Sequence, residues 1–225
     1  MMDKTGVQEW ARELVEANPG SLHEPDNFPA HLGQVYDIAE EIVRNVRSNY
    51  PNIPLDVEEI ALAAGLHDIG RPLQKDQVFH ELRGARLIVQ EGFERGVADS
   101  MEDVYRIAQM VVPHGSTFAY WNDHGCAEKR KEFEPLDPCL LLPRSWQEAI
   151  VAYADMASFG NGRIEVKDRL QKTLQRYEED TTYEDSVIAR VMRADFDRQM
   201  ILTERVEALE QGKLSEQDII RYGFL

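Results

Sequence analysis

The sequence is poor in cysteine and has no long apolar run. Cys126 and Cys139 are the only cysteines in 225 residues, and their separation does not fit the CxxC spacing of a metal site. Two cysteines also cannot form the disulfide framework that is typical of small secreted proteins. No uninterrupted apolar stretch approaches the length of a membrane-spanning helix, and Met1–Gly6 have no apolar signal region. We therefore predict a soluble, cytoplasmic protein with free thiols and no membrane partner.

Basic residues are also in the minority. The sequence has 25 Lys and Arg against 41 Asp and Glu, which gives a formal net charge of −16. This charge repels the backbone of a nucleic acid, so we exclude a nucleic acid polymer as a partner. A divalent cation is attracted by the same field. A small phosphorylated substrate is compatible with it, because local cations in a cleft can oppose the overall sign.

Alternation of apolar and polar residues, which is typical of strands, is nearly absent, and helical spacing dominates. The pattern predicts helices over about 5–17, from 29, from 57 to around 65–72, and over 80–95, 101–112, 145–158, 165–178, 184–210 and a short stretch after 215. Segment 113–144 contains four prolines and no helical period, so we expect a lid or a disordered segment there. The length suits one sizeable core, and no internal repeat or flexible linker divides the chain. We predict one all-α domain over residues 1–225.

Four ionisable residues occupy positions where core residues are expected. His67 and Asp68 follow the uncharged run 60–66, Asp155 lies in the apolar stretch 149–157, and His31 shares a helical stripe with apolar residues. An unpaired buried carboxylate costs several kcal/mol, so each needs a cationic partner. No Lys or Arg lies within four residues of Asp155.

Each of these residues alone can be explained as a hydrogen-bonded group of the core. Four of them on three helices point to a common cause, and one bound metal ion would satisfy all four together. Imidazole and carboxylate are suitable ligands for Zn, Mn, Fe, Co or Ni.

The order His31, His67-Asp68, Asp155 on an all-helical chain resembles the HD-domain superfamily of metal-dependent phosphohydrolases, whose motif reads H…HD…D. The surrounding residues are similar too, namely His31-Leu-Gly-Gln-Val35, Leu66-His-Asp-Ile-Gly70 and Tyr153-Ala-Asp155. The resemblance covers about residues 25–165 and implies a single-domain HD-type helical bundle, with the C-terminal helices of residues 165–225 packed on this core. It also implies that His31, His67, Asp68 and Asp155 are the ligands of one metal.

Two more histidines bear on the number of ions. His80 and His114 extend the order to H…HD…H…H…D, which resembles HD proteins with two or more metals. On that resemblance Asp68 bridges two divalent ions, of Fe, Mn, Zn, Co, Ni or Mg, and both histidines bind the second ion. The alternatives are a helix-start residue for His80 and a loop or substrate contact for His114, so one ion or two stay open. His23 and His124 lie outside the pattern, and we expect them to be exposed in loops.

Arg71 follows the HDIG core, where many members of the superfamily have Lys. An arginine keeps the charge and can bind a phosphate oxygen, but it is a poor general acid. We expect Arg71 to bind the substrate phosphate, the alternative being an exposed cation at a helix end. Cations at several other positions could also meet a phosphate: Arg83, Arg86, Lys129 to Lys131 and Arg163.

The resemblance implies a hydrolase that cleaves a phosphomonoester or phosphodiester by attack of metal-bound hydroxide. A nucleotide or another small phosphorylated metabolite is the expected substrate. Asp68 is the expected catalytic residue, because it could accept a hydrogen bond from the attacking water if only one metal is present. The alternatives are a di-iron oxygenase of the same fold and a non-catalytic regulatory module that contains the metal. The long C-terminal helix could pack on its own subunit or on a neighbour, so an oligomer is compatible with the sequence.

Overall fold

A computed structural model describes residues 1–160, 162–179 and 183–220 of the chain. The described residues form α-helices, short 3₁₀ turns and one two-stranded hairpin, so the prediction of an all-α protein is confirmed. The α-helices are α1 (Lys4–Ala17), α2 (Phe28–Asn49), α3 (Val57–Leu66), α4 (His80–Glu91), α5 (Met101–Val111), α6 (Thr117–Asn122), α7 (Ala127–Arg130), α8 (Trp146–Ala157), α9 (Val166–Glu179), α10 (Tyr183–Glu210) and α11 (Glu216–Ile220). The hairpin pairs β1 (Ser158–Phe159) with β2 (Gly162–Arg163) in antiparallel register.

The centre of the bundle is α3, because this helix is uncharged around its whole circumference after its first turn. Every residue from Ile60 to Leu66 is buried, as expected for a helix without a polar face. Asp56 caps its start by accepting a hydrogen bond from the backbone amide of Glu59. Around α3 pack α1, α2, α5 and α8.

Helix α2 buries one stripe of residues against α3, as its helical spacing predicts. The buried residues include Leu32, Val35, Ile38, Ile42 and Val46. Each fully buried aliphatic side chain of this size contributes roughly 1.5–3 kcal/mol to folding. This stripe therefore fixes α2, and His31 with it, against the centre of the bundle.

Segment 113–144 differs from the expectation of a disordered stretch, because it is folded into α6, α7 and 3₁₀ turns. A second apolar cluster anchors it, in which Phe79 makes edge contacts with Tyr120, Trp121 and Phe133. Turns this short cannot produce a helical period in the sequence. The aromatic residues are therefore anchors of the segment.

The structure differs from the sequence analysis at two other places, the end of α4 and the hairpin after α8. Helix α4 ends at Glu91 and not near residue 95, and the following turn places Gly96 in the left-handed region at φ 71°. The hairpin was not predicted, since two residues in each strand are too few to show alternation. It lies directly after α8 and carries Ser158 toward the centre of the molecule.

The C-terminal helices pack on the rest of the bundle. Helix α9 packs on α8, and α10 packs on α2, α6, α8 and α9. Residues 161, 180–182 and 221–225, which the one-domain prediction includes, lie outside the described residues. Over the part of the chain that the structure describes, none of the helices is long and apolar enough to cross a membrane. Cys126 is buried, Cys139 is exposed, and both are free thiols.

Candidate metal centre

Six ionisable side chains from separate elements meet in the middle of the bundle. The turn after α3 carries His67 and Asp68, and four further residues come from α2, the start of α4, the turn after α5 and the last turns of α8: His31, His80, His114 and Asp155. All six residues that the sequence singles out as metal ligands are thus brought together.

Asp68 is the central residue, and its two carboxylate oxygens face different histidines. Its Oδ1 atom lies 2.8 Å from Nε2 of His80 and 3.3 Å from Nε2 of His114. Its Oδ2 atom lies 3.3 Å from Nε2 of His67 and 3.7 Å from Nε2 of His31. The carboxylate therefore stands between two pairs of imidazoles.

Asp155 faces the same two histidines as Oδ2 of Asp68, namely His31 and His67. Its Oδ1 atom lies 3.5 Å from Nε2 of His67 and 3.7 Å from Nε2 of His31. Donor atoms within 4.8 Å of one another form three groups, namely His31 with His67 and Asp155, His67 with Asp68 and His114, and His80 with Glu81 and His114.

The other ring nitrogen of three of the histidines is held by the backbone. The Nδ1 atoms of His67, His80 and His114 lie 2.7, 2.6 and 2.6 Å from the carbonyl oxygens three residues earlier. A carbonyl oxygen can only accept, so Nδ1 carries a proton and Nε2 is the nitrogen that faces the centre. For His67 and His114 the acceptor belongs to the last turn of a helix, where carbonyls have no partner within the helix.

The carboxylates stay ionised although they are buried. Burial by itself raises the pKa of Asp68, but Arg71 and His67 outweigh it and hold that pKa well below its usual value. Burial likewise opposes ionisation of Asp155, and Arg169 and His67 hold its pKa well below the usual range. Both carboxylates are therefore charged, which is the form that binds a metal.

In the metal-free chain, a proton on His67 balances part of the negative charge of these carboxylates. Burial lowers the pKa of His67, but the Asp68 and Asp155 carboxylates outweigh it and raise the pKa to about 10. A metal ligand must be a neutral imidazole, so an ion that binds here replaces this proton.

The donor set fits a metal ion. Within the described part of the chain, the Nε2 atoms of His67 and His80 are buried and make no hydrogen bond of acceptable geometry. They lie 3.3 and 2.8 Å, respectively, from an oxygen of Asp68, so a metal ion bound there would have both kinds of ligand atom within reach. Mixed imidazole and carboxylate ligands favour a transition metal over Ca²⁺ or Mg²⁺, which prefer oxygen ligands.

The comparison with known proteins agrees with this geometry. Residues 30–135 match the HD domain family. This match supports membership of the chain in the HD-domain superfamily. The superfamily comprises metal-dependent phosphohydrolases that bind divalent metals. An uncharacterized protein of Methanocaldococcus jannaschii is 29% identical over 152 residues, which are 67% of this chain and 78% of the relative. No solved structure matches the chain.

Five of the six residues lie inside the matched HD domain, and Asp155 lies beyond it. Asp155 is nevertheless 3.5 Å from His67, so the geometry places it at the same centre. His23 and His124 are exposed, as expected, and lie outside the centre. The ligand roles themselves remain a prediction.

The sequence analysis missed two residues at the candidate metal centre, Arg169 and Glu81. Arg169 lies on α9, and its Nη2 atom is 3.4 Å from Oδ1 of Asp155, so this carboxylate has a cationic partner on another helix. Glu81 is buried beside His80, with Oε2 3.5 Å from Nδ1 of that histidine. Only the position of Glu81 next to His80 gave a signal in the sequence.

Arg71, which we expect to bind the substrate phosphate, lies at the candidate metal centre and contacts the predicted ligand Asp68. Its Nε atom is 2.6 Å from Oδ2 of Asp68, and its side chain is 38% exposed. The other cations considered from the sequence are engaged elsewhere. Arg83 donates to two backbone carbonyls, Arg86 pairs with Glu132, Lys129 with Asp76, Arg130 with Glu134, Lys131 with Glu128, and Arg163 with Glu210.

Proposed function

We propose that this chain is a metal-dependent hydrolase of small phosphate esters. The substrate is a phosphomonoester or phosphodiester, with a nucleotide or another phosphorylated metabolite as the first choice. The observation that carries this proposal is the convergence of four imidazole Nε2 atoms on Asp68, two of them buried and without hydrogen bonds inside the described residues. The match to the HD domain family supports it.

The residues divide between two candidate ion positions. His31, His67, Asp68 and Asp155 would hold one ion, and Asp68 with His80 and His114 would hold a second. The two oxygens of Asp68 face different pairs of histidines, which supports a bridging role for this carboxylate. When bound, the metal supplies Lewis acidity and lowers the pKa of a water molecule.

The chain's own residues orient the reactants. With a single ion bound, Asp68 would accept a hydrogen bond from the attacking water and orient it toward phosphorus. The backbone bonds to Nδ1 hold the imidazoles in place, so they need not reorganise during the reaction. Arg71 offers a permanent positive charge to a phosphate oxygen and cannot act as a general acid.

The substrate approaches from the side of His31 and Arg71. Their side chains are 28% and 38% exposed, whereas His67 and His114 are almost fully buried. This difference in exposure favours access of solvent and substrate from the side of His31 and Arg71.

The test combines metal analysis with a substrate panel. Protein purified without chelator should contain one or two equivalents of a divalent metal and should hydrolyse p-nitrophenyl phosphate, its diester or a nucleotide. Asp68→Ala should lose metal and turnover together, whereas Asp99→Ala, which changes a carboxylate that is 90% exposed, should keep both. Full metal occupancy and turnover in Asp68→Ala would place the active site elsewhere.

The same panel separates the alternatives. Turnover under nitrogen with Mn, Co or Ni supports hydrolysis, whereas oxygen consumption that depends on iron supports an oxygenase. A fully metal-loaded protein that cleaves no ester in the panel supports a regulatory module.

A further inference from the structure

Arg169 is a cation at the open side of the metal centre. Its Nη2 atom lies 3.4 Å from Oδ1 of Asp155, the same oxygen that faces His67 and His31. The side chain is 22% exposed, so it borders the solvent-accessible face. Its Nη1 atom is buried and has no hydrogen-bond partner in the ranges that the structure describes. One arm of the guanidinium is thus bound to a predicted ligand, and the other has an unused donor.

The net charge of the centre would be positive once a metal is bound, which favours binding of an anion. Asp68 is already paired with Arg71, and Asp155 with Arg169, so these carboxylates are balanced before any ion binds. The imidazoles are neutral when they bind a metal. Even with Glu81 counted as a third anion, one divalent ion leaves a net positive charge. Excess charge in a largely buried site is costly, so the metal-loaded state needs an anionic ligand.

Phosphate is the anion that this arrangement suits. A guanidinium presents planar, paired donors that match two phosphate oxygens, and such bonds are stronger than those between neutral groups. Among the cations considered from the sequence, Arg71 alone reaches the centre, on the Asp68 side. Arg169 supplies the corresponding charge on the Asp155 side.

We propose that Arg169 binds the phosphate group of the substrate at the Asp155 side of the centre. This inference rests on the proposed hydrolase function. It competes with a purely structural role, in which Arg169 only orients Asp155 as a metal ligand. The two roles differ in their consequences for the metal. Removing a neighbouring cation strengthens metal binding electrostatically, whereas removing an orienting contact weakens it.

The test uses Arg169→Gln and Arg169→Lys, with Arg176→Gln as a control on an exposed arginine of the same helix. Metal content is measured by mass spectrometry, and binding of inorganic phosphate to the metal-loaded protein by calorimetry. Arg169→Gln should keep the metal content of the wild type and bind phosphate on the order of tenfold to a hundredfold more weakly. Arg169→Lys should recover part of the loss, and Arg176→Gln should behave as the wild type.

Kinetics then separate this inference from the proposed function. Weaker phosphate binding together with a raised KM supports both. Weaker phosphate binding in a protein that hydrolyses no ester supports the phosphate-binding role of Arg169 and overturns the hydrolase. Ester hydrolysis with unchanged KM and unchanged phosphate affinity in Arg169→Gln overturns the role of Arg169 and leaves the hydrolase intact. Loss of metal with normal phosphate affinity in the reloaded variant, or no phosphate binding by the wild type, also overturns it.

Discussion

Gly70 holds the turn that carries His67 and Asp68 against helix α4. A Cβ atom at this position would lie well under 3.0 Å from the carbonyl oxygen of His80 and the amide nitrogen of Gly84, and 2.9 Å from the Cα of Gly84. Its φ of −80° and ψ of −13° are open to any residue. The glycine is therefore required for space and not for its backbone freedom.

The replacement Gly70→Ala should destabilise the fold by about 2 kcal/mol. All three nearest atoms belong to the backbone and cannot rotate aside, so overpacking costs about 3 kcal/mol, the upper end for added methyl groups. Alanine restricts the unfolded chain, which returns roughly 0.4–1 kcal/mol. The overpacking that remains should push α4, and His80 with it, away from Asp68.

Urea denaturation of the chelator-treated protein measures this loss. Gly162→Ala is the matched control, because no described atom lies within 4 Å of the added Cβ and the backbone there does not have a positive φ. We expect the free energy of unfolding of Gly162→Ala to stay within roughly 0.5 kcal/mol of the wild type. A Gly70→Ala protein as stable as this control would refute the close approach of the turn to α4.

Two further predictions concern the ions. His80→Ala and His114→Ala should each halve the metal count if two ions bind, while His124→Ala, an exposed histidine, should leave it unchanged; an unchanged count in all three variants supports a single ion. The pKa of His67 in the metal-free chain is raised from 6.5 to about 10, so protonation contributes stability below pH 6.5 that is lost as the pH rises toward 10. The urea midpoint of metal-free protein should therefore fall over this range more steeply than that of metal-loaded protein, and equal slopes would contradict the assignment.

The helices could be predicted where one face of each is buried. In α2, apolar residues at steps of three and four, from Val35 to Val46, are sufficient to predict both the helix and its buried stripe. The hairpin at Ser158 and the turns of segment 113–144 are too short to carry any period. Their conformation depends on tertiary contacts, such as that of Phe79 with Trp121.

The central residues of the site were predictable for a local reason. His67 and Asp68 interrupt an apolar run, and Asp155 does the same in α8, so each is conspicuous among its own neighbours. Arg169 gives no such signal, because it sits in a polar helix and meets Asp155 only when α9 packs on α8. The cation that the buried Asp155 carboxylate needs is therefore 14 residues away in the sequence, on a different helix.

The centre depends on residues inside the HD family match and on helices that follow it. Residues 30–135 supply the imidazoles and Asp68, whereas Asp155 and Arg169 come from later helices. Helix α10 contributes as well, because Arg198 donates to the carbonyl oxygen of Gly115, directly after His114. Gly115 has a φ of 62°, so the turn that aims His114 combines a left-handed residue with a bond to a distant helix. The motif thus brings the donor atoms, and the C-terminal helices bring the second carboxylate, its cation and the support of one imidazole.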